Sequence, residues 1–374
     1  MDKASFFFDG YDYSEQEVQR WLSKRTRLVI NDENANISTR RVAYMVQHGF
    51  LDSVTDIIAA NCHCHSEVLQ QLAMLPNVKS LKILDSGAPS DDEDDEGEQS
   101  SIASLDGNLD ELETIIEVIG NMTSLTSLDI EFDTVVSGSR LTFLRRLVNL
   151  KYLRLRGFDL SEGISNMAGL TKLETLHLCH GNFYSSPNDD VNEKDLMFLV
   201  GLQHITSLHL EGFDCLSGVG MSPFISNSIA NLVLKHCEES SEDCLSSIGR
   251  MTKLKSLHMI NSECDDAPIF GSEDLHHLNT LSELKALSLF YVFEEPGDLS
   301  CLKGLTALEI LNLAYEYPME DEELEEVIIP LLSTFPNLRK LRIFSPDGMA
   351  YSLNNGSLEI EFSSYSFGDL VDLH

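Results

Sequence analysis

The sequence predicts an α/β repeat solenoid, a curved parallel β-sheet lined on its convex side by short helices or 3₁₀ turns. Three observations lead there. First, a spaced apolar pattern recurs along the chain, as in "LTKLETLHL", with leucine at Leu170, Leu173, Leu176 and Leu178. Second, most copies follow one another at steps of 23 to 25 residues, with longer steps of 30 and 32. A period of this length marks stacked units, none of which buries its apolar face alone. Third, the connections have helical character. "SEDLHHLNTL" and "EKDLMFLVGL" open on serine or acidic caps and continue with apolar residues at helical spacing.

Taken in order, residues 1–50 read as an N-terminal helical cap. A capping box from Ser14 to Glu17 opens "SEQEVQRWLSKR", and "STRRVAYMVQHGF" gives a second helix. The solenoid follows over residues 51–362. The paired apolar residues that end each copy begin at Ile57, Leu81, Leu128, Leu153, Leu176, Leu208, Leu232, Leu257, Leu287, Leu311, Leu341 and Leu358. Each pair is expected to be a short strand with both members pointing inward, because strand side chains alternate. The apolar residues before the pair close the same core from the turn. The long step between Leu81 and Leu128 holds an insertion. From Asp85 to Glu113 there are twelve acidic side chains and no basic one. Such a stretch buries too little to order itself, so residues 86–104 are expected to form a disordered acidic loop. Residues 363–374 are left as a tail.

These copies resemble the repeats of the leucine-rich repeat superfamily, of the intracellular type with irregular units of about 24–30 residues. The resemblance covers residues 51–362 and implies a horseshoe whose concave face is a parallel sheet. It departs from the family pattern at one position. The residue usually Asn or Cys is Cys62 and Cys237 in two copies only; elsewhere it is Ser86, Asp133, Phe158, Gly181, Phe213, Ser262, Val292, Glu316 and Pro346. An unbroken asparagine ladder is therefore not expected, and the turns must satisfy their backbone groups by other means.

Composition narrows the function classes. With 61 acidic and 26 basic side chains the formal charge is −35. Phosphate backbones and anionic lipid are poor partners for such a chain, and proteins with basic surfaces are better ones. No secretory signal or long apolar run is evident, so the scattered cysteines read as reduced thiols and the location as cytoplasmic or nuclear. A monomer without cofactor is expected. No phosphate loop, zincin or nucleophile-elbow motif occurs. "NCHCHSE", with Cys62, His63, Cys64 and His65, has metal-ligand types but no second pair, so no metal site is assigned.

The expected function is non-enzymatic binding of a partner protein through the concave face and its C-terminal rim. Residues between the strand leucines should point onto that face. They include His177 and His209, expected on adjacent strands, and His258, a candidate pH-sensitive or metal-binding strip. Toward the C-terminus Phe290, Tyr291, Tyr315 and Phe344 should stand exposed near Lys340 and Arg342 as a contact site. Arg154 and Arg156 should face the same way. They belong to a basic block, with Arg140, Arg145, Arg146 and Lys151, which the acidic loop is expected to mask, the more so if Ser90 is phosphorylated. Three alternatives are a ubiquitin-ligase substrate receptor with an F-box-like N-terminus, an acidic histone- or basic-protein-binding regulator, and a GTPase-activating or phosphatase-regulating protein.

Overall fold

The computed structural model describes residues 25–31, 39–60, 66–85, 109–180, 191, 194–213, 216, 221–225, 228–237, 242–261, 270–293, 296–314, 332, 334–344, 351–355 and 358–363. The chain divides into two compact units, Met1–Tyr184 and Ser185–His374.

In the first unit six strands run parallel in chain order: β1 (Arg27–Asn31), β2 (Asp56–Ala60), β3 (Ser80–Asp85), β4 (Ser127–Ser137), β5 (Tyr152–Asp159) and β6 (Thr175–His180). Helices α1 (Thr39–Gln47), α2 (Ser66–Ala73) and α3 (Leu109–Asn121) join the early strands, and 3₁₀ helices Gly138–Arg146 and Ile164–Gly169 join the later ones. Each packs against the next in a second layer. The second unit holds β7 (Ser207–Glu211), β8 (Asn231–Lys235), β9 (Ser256–Ile260), β10 (Ala286–Phe290), β11 (Ile310–Ala314) and β12 (Lys340–Phe344), again parallel and in order. Its connections include 3₁₀ helices Asp195–Gly201, His276–Thr280 and Pro296–Gly304 and helices α4 (Ser222–Ile225), α5 (Glu242–Ile248) and α6 (Ser272–Leu275).

The register follows the repeat. Ile57, Leu81, Leu128, Leu153 and Leu176 are mutual partners across β2–β6, and Leu208, Leu232, Leu257, Leu287, Leu311 and Leu341 across β7–β12. None is more than 1 % exposed. Burying a leucine side chain in this way contributes roughly 1.5–3 kcal/mol, which is why the pattern fixes the fold.

Both ends differ from the sequence reading. The N-terminal segment is not only helical: it supplies β1, whose Leu28 and Ile30 are buried and whose Leu28 stands opposite Ile57. Leu28-x-Ile30 is thus a further strand pair, preceded by Leu22 but with Arg25 where the other copies carry a second apolar residue. The helix expected at Ser14 lies outside the described residues, as do the acidic insertion and residues 364–374. At the other end Leu341 pairs with Ile360, two residues beyond Leu358. β14 (Leu358–Ser363) is also paired antiparallel with β13 (Tyr351–Asn355), so a hairpin replaces the last repeat and shifts its register.

The missing asparagine ladder has two substitutes. Ahead of the strands, one carbonyl per repeat accepts two N–H groups from the next. Thr126 O, for example, takes Lys151 N at 2.8 Å and Tyr152 N at 3.1 Å, and Lys285 O takes Glu309 N and Ile310 N. Asparagines in the preceding turn add rungs: Asn77 Nδ2 donates to Asp52 O, Asn149 to Thr123 O and Asn337 to Thr306 O. Behind the strands, the position usually polar is filled by Phe158, Phe213 and Val292, each at most 1 % exposed. The chain reaches inward there through a left-handed residue, just after the strand at Gly212, His236 and Tyr291 and at the register shift within β5 at Gly157. Gly157 is required: a Cβ would lie 2.1 Å from Phe132 O. Cys237 keeps a polar role and donates its thiol to Leu210 O at 3.8 Å.

Candidate functional site on the open face of the sheet

Strand alternation puts Lys82, Asp129 and Glu131, Arg154 and Arg156, and His177 on the open face of β3–β6, opposite the leucines. Neighbouring strands sit about 4.8 Å apart, so opposite charges in one column of successive repeats meet. Arg154 Nη1 is 2.8 Å from Glu131 Oε2 and 3.2 Å from Asp129 Oδ1. Lys82 Nζ is 2.9 Å from Asp129 Oδ2. Partial burial works against the Arg154 charge, but Asp129 and Glu131 outweigh it and hold the guanidinium pKa above its ordinary value. The Tyr152 hydroxyl is also held above its usual pKa, first by burial and then by Asp129. Its ring lies 5.6 Å from that of His177.

Arg154 is therefore paired with two carboxylates, while Arg156 is held less closely. Its guanidinium reaches Glu131 only at 3.7 Å and its side chain is 45 % exposed. The Lys82 side chain is 36 % exposed. Among the described side chains of this face, Lys82, Arg154 and Arg156 are basic and Asp129 and Glu131 acidic. Asp129, Glu131 and Tyr152 were not singled out from the sequence. The signal was present in the columns as opposite charges on consecutive strands.

The basic block splits. Arg154 and Arg156 lie on β5, whereas Arg140, Arg145 and Arg146 lie on the 3₁₀ helix Gly138–Arg146. The block thus spans two elements, and the acidic stretch expected to mask it lies outside the described residues.

In the second unit the open face differs. Lys235 Nζ and Glu211 Oε1 form an ion pair at 2.9 Å with side chains 13 % and 6 % exposed, and His209 Nε2 is 3.9 Å from Glu211 Oε2. His258 is not exposed. It is buried in a polar row, with Nε2 at 2.6 Å from Ser256 Oγ and Nδ1 at 2.7 Å from Ser288 Oγ, which accepts from Asn312 Nδ2 at 2.9 Å. A serine beside a histidine base has the geometry of a nucleophile pair. The backbone of β9 and β10, however, is committed to ladders on both sides, which leaves these strands no N–H to hold an oxyanion. Among the described residues no group of three His, Cys, Asp or Glu is placed to hold a metal, and burial takes His258 out of the expected histidine strip. The Cys62–His65 cluster lies outside the described residues.

The C-terminal aromatics also depart from expectation. Phe290, Tyr291 and Phe344 are 1 %, 6 % and 6 % exposed and join Ile260 and Ala314 in one apolar cluster. The Phe290 and Phe344 rings meet edge to face at 5.3 Å. Register explains the cluster: Ile260, Phe290, Ala314 and Phe344 are successive partners across β9–β12. Tyr315 lies outside the described residues. Among the described residues no helix is long and apolar enough to cross a membrane.

No protein-family model matches the chain, and no curated protein matches it. Solved structures do. The TLR13–ssRNA13 complex matches 86 % of this chain and 39 % of that chain at 17 % identity with a TM-score of 0.50. Internalin C2 of Listeria monocytogenes matches 53 % of this chain and 74 % of that one at 20 % identity with a TM-score of 0.37. The chain thus spans well under half the length of the TLR13 chain, and at these identities the likeness concerns the fold. The repeat pattern, the parallel strands in chain order and the likeness to the TLR13 structure agree on the fold: this chain folds as a leucine-rich repeat solenoid.

Proposed function

We propose that the chain is a non-enzymatic recognition scaffold that binds a partner protein through the open face of β3–β6. The observation that carries this reading is the charge ladder on that face. Asp129 and Glu131 hold Arg154 in place, and Lys82 and Arg156 stand beside it with 36 % and 45 % of their side chains exposed. Charges already fixed on a sheet lose little freedom on binding and select partners by complementarity. The TLR13 structure is a complex with ssRNA. For this chain the net charge of −35 argues against a phosphate backbone and for a protein. A basic partner suits the acidic remainder of the chain; the patch that meets Lys82 and Arg156 carries acidic groups. The test is affinity capture with quantitative mass spectrometry, comparing wild type with Lys82→Glu/Arg156→Glu. Partners lost with the double variant, at unchanged unfolding midpoint, support the reading. An identical partner set rules out this face.

A further inference from the structure

On the helical side of the first unit a groove of about 720 Å³ lies between α3 and the 3₁₀ helix Gly138–Arg146. Its floor includes Phe143, which is buried. Gly120 brings α3 close to that floor, since a Cβ there would stand 3.0 Å from Phe143 Cβ. Glu113 and Glu117, one helical turn apart, line one wall, and Arg140, Arg145 and Arg146 line the other.

These charges do not cancel. Arg140 is ion-paired with Glu113. Arg146 Nη1 donates to the neutral Asn121 Oδ1 at 3.1 Å, which orients the guanidinium without neutralising it. Arg145 is exposed, and among the described residues no carboxylate pairs with it. Two uncompensated guanidinium groups therefore face one uncompensated carboxylate, Glu117. Guanidinium forks match carboxylates in a bidentate geometry that no lysine provides, and a groove of this volume holds several side chains.

We infer that this groove is a docking site for an acidic segment of a partner protein, with carboxylates taken by Arg145 and Arg146. The site lies on the helical layer and is separate from the open face of β3–β6. The test uses a fluorescein-labelled oligoglutamate peptide and fluorescence anisotropy at low salt. It compares the full chain, Arg145→Glu/Arg146→Glu, Arg145→Gln/Arg146→Gln, Arg156→Glu, and a chain lacking residues 90–99. The expected result is binding to the full chain that weakens at least about tenfold in both double variants, as loss of hydrogen bonds between charged groups predicts. About 0.5 M salt weakens it by screening. The neutral glutamine variant keeps the result from depending on an added repulsion. Absence of binding to the full chain overturns the inference, as does a loss confined to Arg156→Glu. Binding that appears only after residues 90–99 are removed assigns the groove to the chain's own acidic stretch and overturns a partner as its occupant.

Discussion

Replacing Phe290 by alanine separates a core aromatic from a contact residue. The ring is 1 % exposed, touches Phe344 edge to face at 5.3 Å, and shares a cluster with Ile260, Tyr291 and Ala314. Truncating a phenyl group at such a site removes its burial and leaves a cavity, at a cost of about 3–5 kcal/mol. The edge-to-face pair accounts for about 0.5–1.5 kcal/mol of that. Urea unfolding followed by circular dichroism reads the loss directly. Phe344→Ala and the double variant complete a cycle whose coupling should match the pair. Stability lowered by less than about 1 kcal/mol, together with loss of a partner, would refute the burial and restore Phe290 as a contact residue.

Gly157→Ala forces a side chain into a left-handed position at φ 81°, which costs about 1–2 kcal/mol before the clash with Phe132 O is counted; a midpoint equal to wild type contradicts that turn. Arg154→Ala leaves Asp129 and Glu131 without their shared partner, and thermal unfolding should show about 2 kcal/mol lost, below the cost of breaking a fully buried pair because the Arg154 side chain is 21 % exposed. Tyr152→Phe changes the alkaline limb of stability. The folded pKa of Tyr152 is raised, so its contribution is complete below the unfolded value of about 10 and fades as pH rises through the folded one. Unfolding measured from pH 8 to 11 should therefore fall less steeply in the variant, and identical slopes would contradict the shift.

The fold was legible because the leucines carry two signals at once. Leu208 and Leu210 mark a strand by alternation, and Leu202 and Ile205 mark the turn that feeds it; all four are fully buried. Where one signal was missing the reading failed. Leu28 and Ile30 have only Leu22 before them, with Arg25 at the second apolar position, so the spacing of β1 is broken and merges with a helical cap. The pair at Leu358 was set by its spacing, whereas the hairpin with β13 decides the true register at Ile360. Phe158 and Phe213 looked like lapses in a polar column and are instead the buried fill of that position. The site was harder to read for a physical reason. Alternation tells which face a side chain takes, but not what covers that face or what pairs upon it. Phe290 and His258 lie on the open side of their strands by alternation and are buried all the same. Arg154 and Arg156 share a strand face, yet Asp129 and Glu131 neutralise the first and leave the second to solvent.

Site-specific photo-crosslinking tests recognition by the open face of β3–β6 most directly. A photoreactive residue at position 156 stands on that face, and one at position 74, where Met74 is 69 % exposed just after α2, stands on the helical side. Both variants should fold as wild type does, since neither position is buried. Irradiated with the captured partner, the chain should crosslink at position 156 and not at position 74. Crosslinks at position 74 alone, or equal yields at both, would contradict recognition by the open face.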